Sequence, residues 1–222
     1  YAIEEAVRLK EKYGVETIVI TMGPPQAEEA LREALSMGID KAIHLSDRAF
    51  AGSDTWATSR VLSKAIEKIG DYSVILCGKQ ASDGDTAQVG PGIACWLDIS
   101  QVCYVKHIRE IEFEKKRAVV DRMFEDGYEV IETELPVLLT VVKEINEPRI
   151  PSFRGMLRAK KEKIEVWGYH DLGLEENEVG LNGSPTQVVR VFTPPTRQKG
   201  VTIDAREHLD DLNKVVEFLK EL

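Results

Sequence analysis

Apolar positions along the first hundred residues alternate between two rhythms. Ile3, Ala6 and Val7 share one face of a helix that Gly14 would stop. Ile18-Val19-Ile20, inside the stretch 17–21, reads as a buried strand. Met22-Gly23-Pro24-Pro25 is a turn, with proline suited to a first helical position. Ala27, Ala30, Leu31, Ala34 and Leu35 form the next stripe, closed by Gly38, and 42–45 is a short strand. Ser53 or Asp54 is placed to cap a third helix, with Val61, Leu62, Ala65, Ile66 and Ile69 inward and Gly70 as its stop. A strand over 72–77 and a helix containing Ile93, Trp96 and Leu97 complete the series. Alternation at this spacing predicts right-handed crossovers and a parallel sheet.

The pattern changes after Ile99. Stretches 101–113, 118–124 and 128–134 read as strands separated by Glu114-Lys115-Lys116 and Glu125-Asp126-Gly127, which predicts an antiparallel extension. The apolar run 136–142 is most simply a central strand. Breakers dominate 146–158, which leads through a basic segment to a strand over 164–167. The polar, glycine-rich stretch 168–186 reads as a linker or surface excursion. A strand over 188–192 is broken by Thr193-Pro194-Pro195. The terminal stretch 207–222 is an amphipathic helix with Leu209, Leu212, Val215, Val216 and Leu219 on one side, and it needs a surface on its own domain or on a partner. The expected fold is α/β, a parallel-sheet, Rossmann-like domain over 1–167 with an antiparallel hairpin extension. A linker and C-terminal arm occupy 168–222.

With 222 residues, 43% of them hydrophobic and 30% charged, the chain suits one globular core with an appended arm. Its net charge of -9 argues against nucleic acid as a partner. No apolar stretch approaches the ~20 residues that span a bilayer, so no membrane insertion is expected. Cys77, Cys95 and Cys103 lack CxxC pairing, which points to a reducing compartment and to small buried hydrophobes. His44, His107, His170 and His208 have no metal-ligand spacing, and no metal site is expected. GxSxG, HExxH and Walker A motifs are absent. These residues fit a binding or electron-carrying role, in which a cofactor supplies the chemistry. The chain opens at Tyr1 already in helical register, the pattern of a sequence with residues upstream.

The candidate site is the stretch from Cys77 to Pro91. A strand empties into a polar turn, and a helix opens near Thr86 or Ala87, since Pro91 is tolerated only within a first turn. A helix start offers unpaired N–H groups and partial positive charge, and ligands favour the carboxyl ends of parallel strands. Gly84 lets the backbone approach a ligand closely. Asp83 and Asp85 suit ribose hydroxyls, Mg²⁺ or capping better than acid–base work, because a helix start holds them ionised. On the local pattern alone, a strand–loop–helix turn that binds nothing is an equal alternative.

The motifs also carry a family resemblance. They run from Ala2-Ile3-Glu4-Glu5-Ala6-Val7-Arg8-Leu9-Lys10 through Met22-Gly23-Pro24, Ala34-Leu35-Ser36-Met37-Gly38 and Gly78-Lys79-Gln80-Ala81 on to Gln88. Leu135-Pro136-Val137, Asn146-Glu147-Pro148-Arg149 and 159–166 complete the set. In this order they resemble the β subunit of electron-transfer flavoprotein over essentially the whole chain. The resemblance implies a domain related to adenine-nucleotide hydrolase folds, paired with a homologous α subunit that holds FAD. It implies AMP or a second FAD in this chain. Met22, Gly78, Lys79, Gln80 and Ala81 would lie on the adenine side, and Asp83, Gly84, Asp85, Thr86, Ala87, Gln88 and Val89 at ribose and phosphates. The stretch 83–90 resembles the microbial form more than the mitochondrial one, and 181–186 resembles electron-bifurcating members. There NADH reduces the β flavin, and electrons part towards the α flavin and a low-potential carrier such as ferredoxin.

The segment from Arg149 to Arg158 resembles the family's recognition loop for an acyl-CoA-type dehydrogenase or quinone oxidoreductase. Phe153, Met156 and Leu157 would be its anchors, although the residues by themselves favour burial in a core. The family's first strand and the loop after it are not matched here. Bacterial or archaeal cytoplasm is the expected location ahead of the mitochondrial matrix. A subunit with only structural AMP, and a hydrolytic or adenylating enzyme on the same fold, are the alternatives. The second needs a phosphate loop and acidic residues near the first strand, which the sequence lacks.

Overall fold

The computed structural model describes residues 1–193, 195–196 and 211–220, in two units, Tyr1–Gln187 and Val188–Leu222. The first unit opens with α1 (Ala2–Tyr13), closed by Gly14, whose φ of 70° lets its N–H return to the Lys10 carbonyl. The series continues with β1 (Ile18–Met22), α2 (Glu28–Met37), β2 (Lys41–Leu45), α3 (Thr55–Ile69), β3 (Val74–Gly78) and α4 (Val89–Leu97). Asp54, not Ser53, caps α3, and its carboxylate accepts from the N–H groups of Trp56 and Ala57. Then come β4 (Ser100–Glu112), β5 (Arg117–Phe124), β6 (Gly127–Glu134), β7 (Val137–Val141), α5 (Phe153–Lys161) and β8 (Glu165–Trp167).

The strands form two sheets, β1-β2-β8 and β3-β7-β4-β5-β6. Every pair in the first sheet is parallel, as are β3–β7 and β7–β4, whereas β4–β5 and β5–β6 are antiparallel. The hairpin extension thus continues the edge of a parallel sheet. β7 lies between β3 and β4 and is buried at every position, as its continuous apolar run requires. Its side chains alternate between two layers. Val137 and Leu139 pack with Ala2, Leu9 and Tyr13 of α1, whereas Leu138 packs with Ile66 of α3 and Ile93 and Ala94 of α4.

Several segments differ from the sequence reading. The stretch 168–186 is not a free linker. It makes short 3-10 turns at His170–Leu172 and Glu176–Glu178, and it buries Leu172, Leu174 and Val179 against Phe50, Val61 and Ala65. The first unit accordingly runs to Gln187 rather than ending at residue 167. Stretch 153–161 is helical, and Ala30 is exposed on α2. Residues 188–192 form no strand, and Val188, Val189, Val191 and Phe192 are exposed. In the second unit, α6 (Asp211–Lys220) carries exposed Val215, Val216, Phe218 and Leu219. The expected start of this helix at 207, with Leu209, lies outside the described residues.

Candidate functional site

Among the described residues, β1 and β3 are edge strands of their sheets. Ile20 of β1 and Ile75 and Cys77 of β3 pack against the same cluster, formed by Ile66, Ile93, Ala94 and Leu138. Met22 ends β1 and packs against the cluster containing Leu45 and Val61. Gly23 after it is held from both sides. Its N–H donates to the Leu45 carbonyl at 3.0 Å, and buried His44 donates Nε2–H to its carbonyl at 3.1 Å.

Gly78 ends β3, and an exposed loop crosses from there to α4. The Lys79 N–H donates to the Val141 carbonyl at 3.0 Å, and its ammonium lies 5.4 Å from the centre of the Tyr104 ring. The Asp85 N–H closes a turn onto the Ala81 carbonyl at 3.1 Å. The Asp83 carboxylate accepts the N–H of Gly84 at 2.8 Å, and that of Asp85 accepts from the Gln80 side-chain amide. Neither aspartate caps α4. Asp85 and Ala87 hold left-handed backbones, with φ of 51° and 55°. For alanine this costs about 1–2 kcal/mol and stops the helix from growing back through it.

The cap is consequently Gln88, with α4 beginning at Val89, rather than Thr86 or Ala87. Pro91 still falls in the first turn. The Gln88 side chain does not cap its own helix, and its Oε1 accepts the Thr55 hydroxyl at 3.0 Å. Among the described residues, no acceptor meets the N–H groups of Thr86, Ala87, Gln88 or Val89. A Cβ built on Gly84 meets no atom within 4 Å, so the backbone stands open there. At Gly90 a Cβ would lie 2.8 Å from Thr140 Cγ2, so this glycine lets α4 seat directly on β7. An anionic ligand with hydrogen-bond acceptors fits this arrangement. Burial pushes the Cys77 thiol up to about 11, with neighbouring Cys103 adding to the shift, which leaves it an uncharged part of the wall. Cys95, in contrast to its expected burial, is exposed.

The segment beginning at Arg149 divides into two parts. The Arg149 guanidinium is taken by α1, with Nε 2.8 Å from Glu4 Oε2 and Nη1 2.6 Å from Glu11 Oε1. Asn146 donates to the Tyr1 carbonyl and to the Glu5 carboxylate, both at 3.0 Å. Burial alone would raise the Glu4 pKa, but hydrogen bonds from Arg149 and Arg8 outweigh it and lower the value to about 2. Arg158 donates to the Leu35 and Ile39 carbonyls, and Arg32 answers with hydrogen bonds of 2.6 Å to the Ala159 and Glu162 carbonyls. Ser152 caps α5 by accepting the Gly155 N–H. The arginines are spent on the domain, whereas Phe153 is 74% exposed, with Ile150, Met156 and Leu157 exposed beside it. Burial of these anchors in a core is not what the structure shows. Sequence reasoning did not find Ile150, the Thr55–Gln88 contact or the ion cluster of α1. Ile150 beside a proline was the only local signal among them.

Residues 1–172 match the family model described as electron transfer flavoprotein domain. The chain belongs to the electron transfer flavoprotein family. It is 55% identical to the electron transfer flavoprotein subunit beta of Thermoanaerobacterium thermosaccharolyticum, over 90% of this chain and 75% of that protein. It is 50% identical to the caffeyl-CoA reductase-Etf complex subunit CarD of Acetobacterium woodii, over 99% of this chain and 83% of that protein. The protein FixA of Azotobacter vinelandii is 45% identical, over 100% of this chain and 80% of its own length. The chain is thus an electron-transfer subunit of the β type within this flavoprotein family. No helix among the described residues is long and apolar enough to cross a membrane.

Proposed function

We propose that this electron-transfer subunit holds an adenine nucleotide between the ends of β1 and β3 and works beside an α subunit that carries FAD. The observation that supports the reading is the row of unpartnered N–H groups from Thr86 to Val89, with open space beside Gly84. These amides would grip phosphate, Met22 and Gly78 to Ala81 would border the adenine, and the exposed face of α5 would dock an acyl-CoA-type dehydrogenase or a quinone oxidoreductase. The residues of the loop fit such a group, since they present N–H donors and no carboxylate caps the helix.

Of the two nucleotides, FAD is the reading favoured here. A Cβ on Gly84 would meet nothing within 4 Å, which suits close approach of a pyrophosphate, and the stretch 181–186 resembles bifurcating members. When bound, a flavin would supply hydride acceptance from NADH and passage of single electrons towards the partner's FAD and ferredoxin. This chain's residues would bind and orient it. Phe153, Met156 and Leu157 make a recognition face without any charged group reaching the partner from Arg149 or Arg158, both held by the domain. The half-similar relative named for a caffeyl-CoA reductase complex supports a partner that handles acyl-CoA substrates. The second unit would lie along the α subunit, because its exposed apolar residues need a cover. A bacterial cytoplasmic location suits the bacterial relatives. The alternative is structural AMP in the same loop, with no redox change in this chain. Nucleotides extracted from the αβ complex and separated by chromatography decide. Two FAD per complex support bifurcation, one FAD and one AMP support the alternative, and one FAD alone overturns the site.

A further inference from the structure

The cap of α3 and the cap of α4 are wired together, and the wire continues to the end of the first unit. Asp54 Oδ1 caps α3, which leaves Oδ2 free, and this second oxygen accepts the Thr186 N–H at 3.0 Å and the Thr186 hydroxyl at 2.8 Å. The Asp54 N–H donates to Ser184 Oγ at 2.8 Å. The next residue, Thr55, donates its hydroxyl to Gln88 Oε1. A side-chain amide has one acceptor end and one donor end. With Oε1 engaged by Thr55, the Nε2 donor of Gln88 is left for whatever binds before α4, and it has no acceptor among the described residues.

We infer that Thr55 is a positioning residue that turns the donor end of Gln88 towards a nucleotide phosphate, and that Asp54, latched by Ser184 and Thr186, holds Thr55 in place, so that the root of the C-terminal arm sets the strength of nucleotide binding. This rests on the nucleotide reading of the same loop. The geometry explains why the cap residue of α4 turns its side chain away from its own helix. It also gives a use to the segment 184–186, which follows the last buried residue of the first unit, Gly180, and precedes the arm. The Thr55 hydroxyl anchors the amide in either orientation, and only the one in which it donates to Oε1 turns Nε2–H towards an acceptor-only phosphate, so its loss frees the side chain where the bound ligand needs it held.

The test is binding of AMP and of FAD to the αβ complex, measured as dissociation constants for single variants. Thr55→Val should weaken binding about ten-fold, the scale of one hydrogen bond to a charged group. Thr55→Ser keeps the hydroxyl and should bind within about two-fold of the parent. Thr186→Val should weaken binding about three-fold, and the double variant should be no weaker than Thr55→Val alone, since both act through one path. Equal binding by Thr55→Val and the parent, or equal weakness of Thr55→Ser and Thr55→Val, overturns the inference while leaving the site intact. Failure of the parent complex to bind either nucleotide overturns the site and the inference with it.

Discussion

At the scale of single residues, the sharpest contrast is between glycines. Gly84 has no atom within 4 Å of a built Cβ, so the first carbon of a side chain there meets nothing in the chain itself. Gly84→Val should lower nucleotide content at least several-fold with an unchanged melting temperature. Nucleotide per complex and thermal unfolding, measured together, check this. Full occupancy would remove the ligand from beside this residue. Glu4 supplies the opposite kind of test, one of stability. Its carboxylate falls from 4.5 to about 2 on folding, worth about 3 kcal/mol at neutral pH. Because the folded value is the lower one, this stability is complete above about pH 4.5 and is lost as pH falls through 2. Urea midpoints of the parent and Glu4→Gln should therefore lie far apart at pH 7 and converge towards pH 2. A gap that does not close would deny the ion pair its role.

The residue scale also shows what a sequence hides. The motifs 2–10 and 146–149 were each legible, and in the structure they are two halves of one clamp, with Arg149 between Glu4 and Glu11 and Arg8 on the Glu147 carbonyl. Nothing local in either motif names the other, because the contact spans most of the chain.

At the scale of elements, strands were easier to place than helix starts. Continuous apolar runs marked β1, β3 and β7 to within a residue or two, and for β7 burial at every position leaves no other pattern. The start of α4 slipped to Val89 because a left-handed alanine ended the helix, and alanine is the residue least expected there. The stretch 168–186 was misread because Leu172, Leu174 and Val179 have no helical or strand period. β1 and β3 are as apolar as central strands yet only half-buried, each at the edge of its sheet among the described residues. Helix α5 makes its own prediction. A Cβ on Gly155 would lie 2.2 Å from the Ser36 carbonyl oxygen, so Gly155→Ala should cost about 1–3 kcal/mol by prying α5 from α2. Phe153→Ala should leave that packing and the bound cofactor alone, and slow electron transfer to the dehydrogenase about ten-fold. Stopped-flow reduction with each variant separates a lost scaffold from a lost anchor, and an unchanged rate for Phe153→Ala would remove docking from α5.

At the scale of the molecule, the chain is an electron-transfer subunit of the β type in two units. The proposed nucleotide and partner would supply the chemistry, and the exposed face of α5 would meet that partner. The second unit exposes Val188, Val189, Val191, Phe192, Val216 and Leu219, far more apolar surface than a free tail needs. Removing the chain after Gln187 should raise the dissociation constant of the αβ complex by at least ten-fold in sedimentation equilibrium. Unaltered association would assign that surface to another partner.

The proposed site rests on the amides from Thr86 to Val89, which would hold the phosphate of an adenosine compound. A density map of the intact αβ complex tests it most directly. The expected result is a nucleotide whose phosphate lies within hydrogen-bond distance of those N–H groups, with its base beside Met22 and Gly78. Ordered solvent alone at that place would contradict it.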